Sequence, residues 1–166
     1  SSRLPNPMPG SAQERPSLAA DRPGPSPVTL RDGTTRDLSA PSGKLLVVHF
    51  WATWCRPCLK ELPDLIALEE KYAARGLELL AVSLDDPGDQ DEIVQPFLAK
   101  WFPSLRTLIR TSPDMDAMVS VLDPAWNEVL PTSYLVDRNG RVEGRMQGGK
   151  ARAELEAAIM PLLGTP

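Results

Sequence analysis

From residue 27 onward, apolar and polar positions alternate in patterns that predict regular elements. Residues 44–51, KLLVVHFW, form a continuous apolar run of strand length. A strand buried on both faces of a sheet reads this way. Between about residues 57 and 75, Leu59, Leu62, Leu65, Ile66, Leu68 and Tyr72 recur at helical spacing, and Gly76 closes the pattern. Residues 77–84, LELLAVSL, predict a second buried strand, and 85–88 a turn. Residues 89–101 predict a helix with Ile93, Phe97, Leu98 and Trp101 on one face. A short strand is expected at 106–110 and a short helix at 114–121. Residues 132–136 and 141–147 read as strands joined by an Asn139-Gly140 hairpin turn, with a last helix at 150–163. Residues 28–38 read as two short strands around an Asp32-Gly33 turn. Strand, helix, strand, then hairpin and helix make an α/β fold, a central mixed β-sheet flanked by helices.

Composition changes this picture at the N-terminus. Of 18 prolines in 166 residues, seven lie in residues 1–27, where Pro, Gly and Ser make up 14 of 27 positions. That stretch has no aromatic residue and no apolar periodicity, so residues 1–26 read as a flexible Pro-rich spacer. Fully extended, it would reach on the order of 80 Å at about 3.1 Å per residue. Such a spacer is expected of a domain, residues 27–166, tethered to an upstream signal or membrane anchor. Eighteen basic against 22 acidic residues give a charge of −4. That argues against a nucleic-acid partner, which calls for a basic stripe. No run is long and apolar enough for a membrane helix.

The candidate chemistry lies in residues 51–61, WATWCRPCLKE. Cys55 and Cys58 stand two residues apart where a buried strand meets an amphipathic helix. Cys55 falls at the helix N-terminus, where free N–H groups and the helix dipole stabilise a thiolate, and Arg56 adds a positive charge. Pro57 suits an early helical position because it has no N–H to leave unpaired. Cys58, one turn in, should be less exposed. A redox pair follows, with Cys55 attacking and Cys58 resolving. Half a metal site completed by another chain, or a purely structural disulfide, are the competing readings. One histidine and two cysteines cannot assemble a structural zinc site within the chain. Glu61 shares a helix face with Cys58. Spacing leaves it open between a solvated residue beside Lys60 and a buried acid that exchanges the proton of Cys58. His49 reads as a core histidine, on the same strand face as Trp51 and opposite Phe50.

ATWCRPCLKELP after KLLVVHFW resembles the active-site segment of the TlpA/ResA-like group of extracytoplasmic thiol–disulfide oxidoreductases, within the thioredoxin superfamily. The segment 130–142, LPTSYLVDRNGRV, resembles the group's stretch around a cis-proline, and residues 28–44 its N-terminal hairpin extension. The resemblance implies a thioredoxin fold with that β-hairpin extension, and a monomer needing no organic cofactor or metal. It implies that Pro131 is cis and packs against the CxxC, that the backbone of Leu130 pairs with substrate, and that Glu61 is a buried acid. Trp54, with Arg56 and Pro57, would belong to the docking rim, and Trp126 and Asn127 would line the groove. Protein substrates carrying disulfides or thiols and a membrane thiol electron donor follow, as does location in a bacterial periplasm or on the outer side of its cytoplasmic membrane. The expected direction is reduction, as in cytochrome c or copper-site maturation.

Two residues depart from the group: His49 stands where thioredoxins carry a buried Asp, and Leu130 is bulkier than usual before the cis-proline. The alternatives are a disulfide oxidant or isomerase, a Cu(I) delivery module using the two thiolates, and a peroxidase. The paired cysteines argue against the last.

Overall fold

The computed structural model describes residues 27–30, 35–37, 41–105, 107–110, 119–120 and 122–163. In chain order the elements are β1 (Pro27–Leu30), β2 (Thr35–Asp37), β3 (Leu45–Trp51), α1 (Arg56–Tyr72) and β4 (Leu77–Ser83). Then come α2 (Gln95–Trp101, preceded by a π-helical turn at Gln90–Val94), β5 (Thr107–Arg110), β6 (Thr132–Val136), β7 (Val142–Gln147) and α3 (Arg152–Leu163). The strands form one seven-stranded sheet in the order β2-β1-β5-β4-β3-β6-β7. β3, β4 and β5 run parallel; the other pairings are antiparallel. This is the expected mixed sheet of a thioredoxin-type fold. The antiparallel β1–β2 pair extends it beyond β5. The Asp32-Gly33 turn and the spacer at 1–26 lie outside the described residues.

β3 is the axis, and all seven of its residues are buried. Its alternation sorts the core into two faces. Leu45 and Val47 meet Leu65, Leu68 and Tyr72 of α1 and Leu155 and Ile159 of α3. Leu46, Val48 and Phe50 meet Val119, Leu122, Trp126 and Tyr134 on the other side. α1 ends through a short 3₁₀ turn, Ala73–Arg75, into Gly76 at φ 91°. Glycine suits that position because side-chain-bearing residues rarely adopt so positive a φ, and a Cβ there would also crowd Arg138 Nη1 at 2.8 Å. The β6–β7 hairpin closes as expected: Gly140 N–H donates to Asp137 O at 3.0 Å. The Asp137 carboxylate accepts from the Asn139 and Arg141 N–H groups, both at 2.9 Å.

One helix differs from expectation. The segment 89–101 enters through the π turn, and its inward residues are Val94 and Leu98, while Ile93 is 47% and Trp101 61% exposed. Hydrogen bonds of the i→i+5 type offset the apolar stripe from the phase that a regular α-helix would give. Of the expected helix at 114–121, residues 111–118 and 121 lie outside the described residues; 119–120 and 122 are helical. Among the described residues, no helix is long and apolar enough to cross a membrane.

Candidate active site

β3 delivers the chain to residues 52–54, which turn into α1. Cys55 is the N-cap of that 17-residue helix, in extended conformation, and Pro57 lies in its first turn. Cys55 and Cys58 are joined as a disulfide. The Cys58 N–H donates to Cys55 Sγ at 3.4 Å, so the outer sulfur itself caps the helix. Cys55 is 6% exposed and Cys58 0%. The outer sulfur therefore meets both solvent and the positive end of the helix dipole, and the inner one meets neither. Arg56 and Pro57 are exposed, and an open groove of about 570 Å³ is lined by Arg56, Pro57, Leu59 and Lys60.

Asp85, at the end of β4, fixes the turn. Its buried carboxylate accepts from the Thr53 N–H at 3.1 Å, the Thr53 hydroxyl at 2.6 Å and the Ser83 hydroxyl at 2.8 Å. The sequence reading took Asp85 only as part of a turn. Its place at the C-terminal end of a parallel strand, where such sheets put their sites, was the available signal.

Glu61 takes the buried placement, at 3% exposure. Its Oε2 accepts the Lys150 N–H at 2.9 Å, across from the approach to α3. Burial pushes its carboxyl up to about 7, against the Lys150 backbone bond and charge, with Asp64 and Glu154 adding to the rise. The Lys150 contact is made by a backbone N–H, and no residue type at that position announces it. His49 is fully buried, and its Nδ1 shares a 2.8 Å hydrogen bond with Ser133 Oγ of β6. Burial lowers its pKa to about 4, the Cys58 backbone opposing the shift. His49 Nε2 is buried without a hydrogen-bond partner.

The Leu130–Pro131 bond is cis. Leu130 is half-buried and packs against the cluster of Trp51, Ala52, Cys55, Cys58 and Leu62. The Pro131 carbonyl accepts the Gly148 N–H at 3.0 Å. The sequence-distant Leu130 thus stands against the CxxC, while Trp54, next to Cys55, is 64% exposed.

Trp126 does not line a groove: it is 7% exposed and lies in the core, its indole N–H donating to Thr132 Oγ1 at 3.2 Å. The indole reaches a β6 hydroxyl in the interior, which satisfies both its apolar body and its N–H. Asn127 is exposed and accepts from Gln147 Nε2 at 2.8 Å. Sequence reasoning passed over Asp123. Its fully buried carboxylate accepts from Arg145 at 2.6 Å and the Tyr134 hydroxyl at 2.7 Å, holding the loop that leads to the cis-proline.

Residues 23–145 match the AhpC/TSA family. The thiol–disulfide oxidoreductase ResA of Bacillus thuringiensis subsp. konkukian is 30% identical over 129 residues, covering 78% of this chain and 69% of that protein. A crystal structure assigned as the thiol:disulfide interchange protein DsbE of Chlorobium tepidum superposes with a TM-score of 0.72 at 27% identity, over 91% of this chain and 99% of that one. A secreted thiol–disulfide isomerase from Corynebacterium glutamicum shares the fold, with a TM-score of 0.73 at 21% identity over 98% of each chain. Two cysteines bonded at a helix N-terminus are the one reactive feature that the site and these relatives' names have in common. The chain therefore belongs to the AhpC/TSA family and is a thiol–disulfide oxidoreductase of the ResA and DsbE type, acting on protein thiols and disulfides.

Proposed function

We propose that the protein reduces disulfides of specific partner proteins outside the bacterial cytoplasm, in cytochrome c or copper-site maturation, and is re-reduced by a membrane thiol donor. Residues 27–166 are the working domain in this reading, and 1–26 its spacer. The carrying observation is the depth asymmetry of the pair. The outer sulfur caps a helix, and the inner one is sealed beneath it within one helical turn of a buried acid.

Cys55 as thiolate attacks a substrate disulfide, and one substrate sulfur leaves. Cys58 then gives its proton to the Glu61 carboxylate, attacks Cys55 Sγ and releases the second substrate sulfur, which takes up a proton. An acid titrating near 7 accepts and returns that proton at little cost at neutral pH. Trp54, Arg56, Pro57, Leu130 and Pro131 form the docking rim: an exposed indole, a cation and a backbone edge beside the sulfurs. Cys55→Ser abolishes exchange, and Cys58→Ser accumulates mixed disulfides with substrate. The reverse pattern, on non-reducing gels and by mass spectrometry, would refute the assignment.

Arg56 favours a thiolate at Cys55 and so supports a second reading, a disulfide oxidant. The reduction potential decides. Roughly −200 to −270 mV fits a dedicated reductant, and about −120 mV an oxidant.

A further inference from the structure

The groove beside the disulfide carries a charge pattern that the exchange chemistry does not use. It is an open cleft of about 570 Å³ lined by Arg56, Pro57, Leu59 and Lys60. Arg56 and Lys60 are both exposed and stand four residues apart on α1. Side chains at that spacing share a helix face, and like charges there oppose helix formation. The first turn of α1 holds no acidic residue. Neither cationic side chain makes an ion pair or hydrogen bond with any described residue. By contrast, Arg36 and Lys71 each meet a carboxylate, of Glu78 and Glu156.

The groove is continuous with the site of exchange. Arg56 and Pro57 are the two residues between the cysteines. Leu59 is half-buried and packs against the cluster that holds Cys55, Cys58 and Leu62. Gly149 comes close to Pro57: a Cβ on it would stand 3.9 Å from Pro57 Cβ. The Gly148 N–H donates to the Pro131 carbonyl at 3.0 Å. The rim thus runs from the cis-proline through residues 148–149 to Pro57 and the two cations. A polypeptide disulfide that reaches Cys55 brings its flanking residues onto this rim. The chain as a whole has a charge of −4, and the loop after β4 exposes Asp86, Asp89, Asp91 and Glu92. Long-range attraction therefore favours a basic partner. The two unpaired cations beside the sulfurs run against that field, and local charge complementarity selects partner and register.

We propose that the groove seats an acidic segment of the substrate polypeptide, next to its disulfide. The substrate carboxylates pair with Arg56 and Lys60, and an apolar side chain lies on Pro57 and Leu59. The proposal rests on the reading that the rim around Cys55 meets protein substrates. An acidic segment gives both cations the partner that the fold withholds, and a basic segment meets two like charges.

The test follows the reduced full chain as it reduces peptide disulfides. Cys55 and Cys58 close to a disulfide, and the two peptide sulfurs take up the two protons. The peptides share one cystine loop and one apolar neighbour, and differ only in two flanking positions, Asp, Asn or Lys. Each rate is divided by the same peptide's rate with dithiothreitol, which removes its intrinsic reactivity. At low salt the acidic peptide is expected to react about tenfold faster than the basic one, with the neutral peptide between, as fits contacts with two exposed cations. In about 0.5 M salt the ratio should fall to about twofold. Lys60→Glu is expected to bring the ratio to about unity, Lys60→Gln to an intermediate value, and Arg56→Glu combined with Lys60→Glu to reverse it. Each ratio compares peptides on one variant, so a changed thiolate at Cys55 cancels. Equal rates for the three peptides, a faster basic peptide, or a ratio that Lys60→Glu leaves in place overturns the proposal. So does a concentration-dependent dimer of the parent chain that Lys60→Glu abolishes, which assigns the groove to the acidic loop of a second copy. A failed Cys58→Ser trap, or a potential near that of an oxidant, leaves the peptide ratio intact and removes only the functional reading. A ratio of unity with the trap working removes only the acidic occupant.

Discussion

The two faces of the sheet are both buried but built differently. On one face, α1 and α3 lay Leu65, Leu68, Leu155 and Ile159 over Leu45 and Val47 in an apolar cluster, and the buried His49 and Glu61 come only further along, toward the disulfide. On the other, Val119, Leu122 and Trp126 cover Leu46, Val48 and Phe50, and beside them Asp123 is fully buried with Arg145 and Tyr134. The first face needs only volume and periodicity. The second holds the non-helical stretch after residue 122, whose backbone has no ladder to join, and the Asp123 side-chain bonds help to fix it. That segment leads to the cis Leu130–Pro131 bond, where Leu130 packs against both cysteines. Hydrophobic area stabilises the scaffold, while a directional network places the loop that carries the cis-proline.

Asp123→Ala strikes the second face hardest. It leaves the Arg145 guanidinium buried without its carboxylate and removes the acceptor of the Tyr134 hydroxyl and the Ala125 N–H. A loss of about 3–5 kcal/mol is expected in urea unfolding. At temperatures where the variant remains folded, exchange with protein substrates should fall more than reaction with a small disulfide reagent. Equal losses would show that the network serves stability alone. Leu68→Ala, on the apolar face, should cost about 3 kcal/mol. It should leave exchange per folded molecule unchanged, and a changed rate would mean that the faces are not separable.

Glu61 and His49 couple stability to pH in opposite directions. The folded protein holds a proton on Glu61 that the unfolded chain has lost, from its ordinary 4.5 up to about 7. Stability from that group therefore falls as pH rises through this window. The folded protein keeps His49 neutral from about 4 up to 6.5, where the unfolded chain is protonated, so stability from it rises with pH. Glu61→Gln should raise stability at pH 8 by about 1–2 kcal/mol, allowing for partial solvation of the carboxyl. It should steepen the rise between pH 4.5 and 7 and flatten the pH dependence of exchange near 7. A stability profile parallel to the parent's would argue that Glu61 titrates normally. The smallest effect is expected of Thr53→Val, about 1 kcal/mol for the lost hydroxyl bond to Asp85. It should come with altered Trp54 fluorescence, and an unaltered spectrum would mean that the backbone bond suffices to hold the turn.

The strands at 45–51 and 77–83 and the helix from Arg56 were legible because burial on both faces, or on one helical stripe, writes itself as local periodicity. The paired cysteines were legible because strand, helix start and spacing are all local. The inward face of residues 90–101 was not, since a π turn leaves no mark in the pattern. Trp126 was misplaced because an aromatic residue near a groove reads the same whether it points in or out. The network of Asp123 was invisible because its partners are 11 and 22 residues away on two strands.

The sequence by itself therefore determined the alternation of strand and helix, the position of the sulfurs at a helix N-terminus and the likeness to a redox family. All of these depend on neighbours within one or two turns of chain. Only the tertiary structure decided that Glu61 is buried under the Lys150 N–H, that His49 meets Ser133 and the Cys58 backbone, and that Asp85 and Asp123 hold the two loops flanking the disulfide. A charge or proton in this site takes its energy from burial and from partners between 32 and 89 residues away, as with Asp85 and Thr53 or Glu61 and Lys150. Such partners exist only once the sheet has brought them together.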